Sequence, residues 1–186
     1  MMQLLPRDMG WIEVICGSMF SGKTQELIRR LRLASLARQK VQVFSSTLDV
    51  RYGKNHIISH DRAKIPSKMV RSMHELAKNI KPEVQVIGID EVQFLKGDVF
   101  KLCQDLANHG KRVIVAGLDQ DYLGRPFEVV AHLLAVAEFV TKNLAICVVC
   151  GNPANHSQRL SPSKKRIEVG SGDKYEARCR NCFRPG

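Results

Sequence analysis

Apolar residues gather in short, nearly continuous runs along the first three quarters of the chain, at 12–16, 41–44, 84–89 and 112–118. Runs of that length without polar alternation are what strands buried on both faces of a parallel sheet look like. Between them the spacing changes. Leu27, Ile28, Leu31, Ala34 and Leu36 fall close to a helical period with arginines opposite, predicting a helix over 25–38. Met73, Leu76, Ala77 and Ile80 predict a shorter helix over 72–80, ended by Lys81 and Pro82, because a proline ring disfavours helical backbone at the residue before it. Residues 99–109 read as a third helix with Gly110 as its C-terminal cap. Residues 129–137 read as a fourth, leading into a final short strand within 138–144. Strands alternating with helices over short connections predict an α/β fold built on a doubly wound, mostly parallel sheet.

Polar stretches mark the places where that alternation stops. Residues 45–67 mix Asp49, Arg51, His56, His60, Asp61, Arg62 and Lys64 without a sustained period and read as one long loop. A connection beyond about 15 residues in a compact domain is usually a lid or a binding loop. His56 and His60 read as surface histidines, since no cysteine or carboxylate cluster with ligand spacing lies beside them. The segment 119–127 leaves the C-terminal end of a buried strand as a turn-rich loop carrying Tyr122, Arg125 and Phe127, where a substrate could sit. From Ala145 onward the apolar content drops. The chain is therefore expected to divide into a nucleotide-binding α/β domain over 1–144 and a small second domain over 145–186.

Composition narrows the classes without deciding among them. Hydrophobic residues make up 44% and charged residues 25%, as in an ordinary soluble globular protein, and no apolar stretch approaches the about 20 residues of a membrane span. Residues 1–8 show no basic region followed by a long apolar core, so the expected location is cytoplasmic. The net charge is +11, from 29 Lys and Arg against 18 Asp and Glu. That balance suits nucleic acid or a polyanionic nucleotide alike, but the charge is spread along the chain and Trp11 is the single tryptophan, so the stacking platforms of a single-strand binder are not evident.

Chemistry enters at three places. Gly17, Ser18, Met19, Phe20, Ser21, Gly22, Lys23 and Thr24 match G-x-x-x-x-G-K-[ST], placed between a predicted strand and a predicted helix. Glycines let the backbone curl so that successive N–H groups face an anion, the helix aims its positive end at the same point, Lys23 reaches the outer phosphates and the Thr24 hydroxyl can sit on Mg²⁺. Asp90 and Glu91 close the run beginning at Val84, where open α/β sheets place their sites. Asp90 suits a magnesium-holding carboxylate, and Glu91, pointing elsewhere, can act on a nucleophile. Last, Cys147 and Cys150 form one C-x-x-C pair and Cys179 and Cys182 another, across an insert over 151–178 that holds Gly170 and Gly172 and a possible strand at 167–169. Four thiolates suit a tetrahedral Zn²⁺, and four protein ligands leave no open position, so the metal is expected to be structural. Cys16 and Cys103, in apolar surroundings, read as reduced buried thiols.

In combination, GSMFSGKT, LDVRYG, SHDR, IDEVQF, GLDQDYLGRPF, CVVCGNPANHSQRL and VGSGDKYEARCRNC resemble the type II thymidine kinase family, cytosolic P-loop deoxynucleoside kinases that contain zinc, from about Gly10 to Phe183. The resemblance implies a P-loop NTPase-like α/β domain with a zinc domain whose lasso loop closes over thymidine. It implies transfer of the ATP γ-phosphoryl group to the 5′-hydroxyl of thymidine, and of deoxyuridine, giving dTMP for nucleotide salvage. Carried over by position, Glu91 is the general base, residues 17–24 with Asp90 hold ATP and Mg²⁺, and Cys147, Cys150, Cys179 and Cys182 hold Zn²⁺. Met19, Leu118, Tyr122 and Phe127 form the pocket for the base, with Phe94 and Ser157 nearby. Val169, Gly170, Ser171 and Gly172 bind the edge of the base through lasso backbone, and Tyr175 packs on the nucleoside. Arg62 and Arg125 are carried over as phosphate contacts. The implied partners are thymidine and ATP within a homotetramer, with neither membrane nor nucleic acid. Ser45, Ser46 and Thr47 depart from the family's pattern, and so does Ser157 where a threonine is usual. The rival reading is a nucleic-acid-dependent ATPase or a zinc-ribbon nucleic-acid-binding module, which the net charge and the D-E-V-Q string would suit but for which a chain this short lacks a second motor domain.

Overall fold

A computed structural model of the chain describes residues 9–48, 56–58, 63–163, 165–168, 170 and 172–185. Its elements in order are β1 (Trp11–Gly17), α1 (Lys23–Leu36), β2 (Val41–Ser46), β3 (His56–Ile58), β4 (Lys64–Pro66), β5 (Lys68–Val70), α2 (Met73–Asn79), β6 (Val86–Asp90), a 3-10 turn (Val92–Phe94), α3 (Val99–Asn108), β7 (Arg112–Gly117), α4 (Glu128–Val136) and β8 (Phe139–Asn143). The C-terminal part adds β9 (Ala145–Ile146), β10 (Pro153–Ala154), β11 (His156–Arg159) and β12 (Tyr175–Arg178).

Six strands form the central sheet in the order β5-β2-β6-β7-β1-β8, and every neighbouring pair runs parallel. The apolar runs are continuous because the sheet is covered on both sides. Ile12, Val14, Val113, Val115 and Ile87 face Leu76, Val99, Cys103, Val130 and Leu133 of α2, α3 and α4. The alternate residues Ile15, Ile114, Ala116 and Val86 face Leu27, Ile28, Leu31 and Ala34 of α1. That helix lies close on the sheet. A Cβ at Gly88 would come within 2.7 Å of Leu31, so glycine at that point of β6 leaves the room in which Leu31 packs.

Because all six strands run the same way, the C-terminal ends of β1, β6 and β7 meet along one rim, which brings the loops after Gly17, Asp90 and Gly117 together. Sequence positions some 70 and 100 residues apart thus become neighbours without any local signal.

Several expectations are corrected. The 45–67 stretch is not all loop: β2 runs on to Ser46, and β3 and β4 pair antiparallel, with Ile57 buried at their centre. Past its end, β5 adds an edge strand beside β2. Ladders of three residues are too short to show a period. The helix expected over 25–38 starts at Lys23 and ends at Leu36, because Gly22 at φ 78 forms its N-terminal cap. No strand forms at Ile167 and Glu168, and Val169 lies outside the described residues. The pairing there is instead between β11 and β12, antiparallel from His156↔Arg178 to Arg159↔Tyr175.

Candidate functional site

The loop between β1 and α1 is shaped by three residues in left-handed backbone: Gly17 at φ 140, Phe20 at φ 65 and Gly22 at φ 78. At Gly17 a side chain is excluded twice, by that conformation and by the Asn143 carbonyl oxygen, which would stand 2.2 Å from a Cβ. The curl draws Lys23 inward: it is buried, and its ammonium donates to the Ser18 carbonyl at 2.7 Å. An ammonium tucked into a ring of backbone at a helix start is a cradle that fits a polyphosphate. Thr24, on the first turn of α1, sets its hydroxyl 3.1 Å from one oxygen of Asp90 at the end of β6. A hydroxyl and a carboxylate converging beside an anion cradle form a hard oxygen donor set that fits Mg²⁺.

The next residue turns away. Glu91 takes φ 51 and ψ 44, left-handed backbone that costs a residue with a side chain on the order of 1 kcal/mol. The bend lets the Asp90 carboxylate accept the Glu91 N–H at 3.0 Å while the Glu91 side chain enters a separate cleft. Gln93 follows in the 3-10 turn. Its amide donates to Glu91 Oε2 at 2.6 Å and accepts the Leu118 N–H at 3.1 Å.

That cleft opens to solvent, and its empty space, the open part included, is about 550 Å³. Glu91 lines it together with Met19, Leu118, Tyr122, Phe127, Gly170 and Tyr175, and Phe94 and Ser157 are also in the wall. Segments that are distant in the chain therefore converge on one space. Gly172 and Arg125 are not among its lining residues, and Arg125 is exposed. Val169, Ser171 and Arg62 lie outside the described residues.

Two further side chains, Arg159 and Arg166, hold the cleft in shape, and neither was singled out from its place in the chain. Arg159 of β11 is buried, with its guanidinium 3.6 Å over the Tyr122 ring, and it donates to the Tyr175 hydroxyl at 2.6 Å and the Ser163 carbonyl at 3.0 Å. It also reaches the carbonyls of Lys165 and Arg166. Tyr175 in turn donates to the Glu168 carbonyl at 3.0 Å. Across the cleft mouth Arg166 pairs with Asp121 at 3.1 Å and stacks on Phe127. A lone arginine in a strand carries no periodic signal, and Gln93 was visible only as one letter of a motif.

The C-terminal part ties directly to the phosphate loop. Met19 N–H donates to Ser157 Oγ at 3.0 Å, and Phe20 packs against a small apolar cluster of Ala145, Cys147, Ala154, Ala177 and Cys179. Beside that cluster the sulfurs of Cys147, Cys150, Cys179 and Cys182 all lie within 4.8 Å of one another. A tetrahedron with metal–sulfur bonds of about 2.3 Å has edges near 3.8 Å, so the four thiols fit Zn²⁺. Asn152 donates its side-chain N–H to the Cys150 sulfur at 3.3 Å, as donors around zinc thiolates do. The other two cysteines take no part: burial raises the Cys16 thiol, and it pushes the Cys103 thiol to about 12, leaving both protonated.

Comparison with known proteins completes the description. Domain III of the Thermotoga maritima replication initiation protein DnaA superposes with a TM-score of 0.43 at 17% identity, covering 71% of this chain and 54% of that one, a likeness too slight to bear on function. Sequence relatives are far nearer. A thymidine kinase of Rhodothermus sp. (strain ITI 518) is 55% identical over 178 residues, 96% of this chain and 83% of the relative. A thymidine kinase of Bdellovibrio bacteriovorus (strain HD100) is 51% identical over 176 residues, 95% of this chain and 86% of the relative. The thymidine kinase family model matches residues 10–183, a span that takes in the phosphate loop, the cleft and all four paired cysteines; the chain belongs to the thymidine kinase family.

Proposed function

We propose that this chain transfers the γ-phosphoryl group of ATP to the 5′-hydroxyl of thymidine, giving dTMP and ADP, with deoxyuridine as a second acceptor. One observation carries the assignment of roles. Adjacent carboxylates face different ends of one site, Asp90 toward the phosphate cradle and Glu91 into the apolar cleft. Residues 17–24 bind the triphosphate, and Lys23 compensates its outer charge. Thr24 and Asp90 would hold Mg²⁺, which when bound would neutralise charge that develops during transfer. Glu91 takes the proton of the 5′-hydroxyl as its oxygen attacks the γ-phosphorus and the bond from that phosphorus to the bridging oxygen of ADP breaks.

Base recognition falls to Met19, Leu118, Tyr122 and Phe127, whose apolar surfaces match a pyrimidine ring, with Tyr175 against the nucleoside and lasso backbone at Val169, Gly170, Ser171 and Gly172 along the base edge. Within this reading residues 145–186 are a zinc-stapled unit whose metal is structural. A homotetramer in the cytoplasm belongs to the same proposal and rests on the family alone; among the described residues no helix is long and apolar enough to cross a membrane.

The test is turnover of ATP with Mg²⁺ in the presence of thymidine, deoxyuridine, deoxycytidine or single-stranded DNA, for the wild type and for Glu91→Gln. Formation of dTMP, lost by a factor of about 10²–10⁴ in the variant while ATP still binds, is the expected result. Hydrolysis stimulated only by DNA would overturn it in favour of a nucleic-acid-dependent ATPase.

A further inference from the structure

We propose that Gln93 is a positioning residue for phosphoryl transfer, an amide strut that holds the Glu91 carboxylate in register with the pocket for the base. The proposal rests on the reading of Glu91 as general base. Three observations carry it. The first is the direction of the amide. Leu118 N–H is a donor with no alternative role, so the atom 3.1 Å from it must be Gln93 Oε1. The N–H₂ end is thereby committed to Glu91 Oε2 at 2.6 Å, as a donor that suits a carboxylate acceptor.

The second is what the strut connects. Leu118 lines the cleft from the end of β7, and Glu91 lines it from the end of β6. One side chain therefore ties a wall of the pocket to the group that acts on the substrate, so that seating the nucleoside against Leu118 also sets its distance from the carboxylate. Gln93 is 8% exposed and is not itself a lining residue.

The third is the space made for it. A Cβ at Gly117 would stand 2.7 Å from Gln93 Oε1 and 2.8 Å from a methyl of Val92, so the glycine ending β7 leaves the volume that the amide fills. Glu91 stands one residue past the end of β6 with its backbone in the left-handed region, which turns its side chain toward the amide.

Gln93→Met keeps the length and removes both polar contacts; Gln93→Glu keeps the acceptor for Leu118 and sets a carboxylate against Glu91. Both should lower kcat, the first by about 10–100-fold, with the dissociation constants for thymidine and ATP within about twofold. The deciding measurement is a double-mutant cycle with Glu91→Gln. If Gln93 acts through Glu91, Glu91→Gln/Gln93→Met turns over no more slowly than Glu91→Gln alone. Should Gln93→Met slow the Glu91→Gln enzyme by the same factor as the wild type, or leave wild-type kcat unchanged, the strut proposal fails while the base remains. Wild-type kcat in Glu91→Gln would remove the base itself, and the strut with it. If Gln93→Met does not fold, Gln93→Glu supplies the same cycle.

Discussion

Arg159 shows how much one side chain can decide. Its charge is buried, yet every direction of its planar fork is met, by the Tyr175 hydroxyl, by carbonyls of the lasso and by the Tyr122 face. Lysine cannot reproduce that fork. Arg159→Met should therefore raise the thymidine KM by about tenfold or more, the equivalent of one or two net hydrogen bonds of about 1 kcal/mol each, and leave ATP affinity unchanged. Arg159→Lys should fall between variant and wild type; steady-state kinetics with each substrate varied in turn would check both. At the same scale Ser157 does more than line the cleft, since its hydroxyl accepts the Met19 N–H and so positions the loop after β1.

Among the elements, β1 is held by more than its ladder. Glu13 is buried in that strand and joins Arg112 of β7 at 2.6 Å, Arg30 of α1 at 2.7 Å and Trp11 at 2.8 Å. Burial alone would raise its carboxyl, but the bond from Arg112, its charge, and the bonds from Trp11 and Arg30 outweigh that and hold it below the usual 4.5. A lowered carboxyl stabilises the fold fully above its unfolded value and loses that contribution as pH falls through its folded one. Glu13→Gln leaves two guanidinium groups short of a partner and should cost about 3 kcal/mol at neutral pH, a fall of roughly 6–12 °C in Tm. The deficit should shrink as pH falls below 4.5, because the unfolded wild-type chain takes up the proton there while the folded carboxylate, held lower, still resists it. Melts of both proteins at pH 7 and pH 3.5 would show it, and an equal deficit at both would contradict the charge-based account.

For the molecule as a whole, the four paired cysteines are the joint between phosphate loop and lasso. Phe20 of the loop packs on the same small cluster as Cys147 and Cys179, and that cluster has too little apolar surface to hold itself together. Cys150→Ser, or removal of metal by a chelator, should therefore abolish the zinc content, expose the 151–178 segment to protease and raise the thymidine KM before ATP binding suffers. Metal analysis alongside the two binding constants tests this; a full equivalent of zinc with a normal thymidine KM in the variant would refute it.

Much of this was readable along the chain. The phosphate loop declares itself because its chemistry is local: glycines at 17 and 22, lysine and threonine directly after, all within eight residues of one backbone turn. The paired cysteines were readable for the same reason, since each pair is a short turn and only their meeting is long-range. Buried strands declared themselves because both faces are covered, which removes the polar alternation. What the chain could not reveal is where side chains go when they leave a strand end. The divergence of Asp90 and Glu91 was inferred from adjacency, but the left-handed turn at Glu91 follows no pattern in the residues, the Gln93 amide meets Leu118 25 residues on across the parallel rim, and the Arg159 guanidinium meets Tyr175 16 residues on across an antiparallel pair. By itself the sequence determined the long helices, the buried strands and the reactive groups, because backbone turns, apolar runs and ligand spacing are short-range. Only the tertiary structure decided how those groups face one another, because a network of buried hydrogen bonds has no period to read and exists only once the sheet has brought its strand ends together.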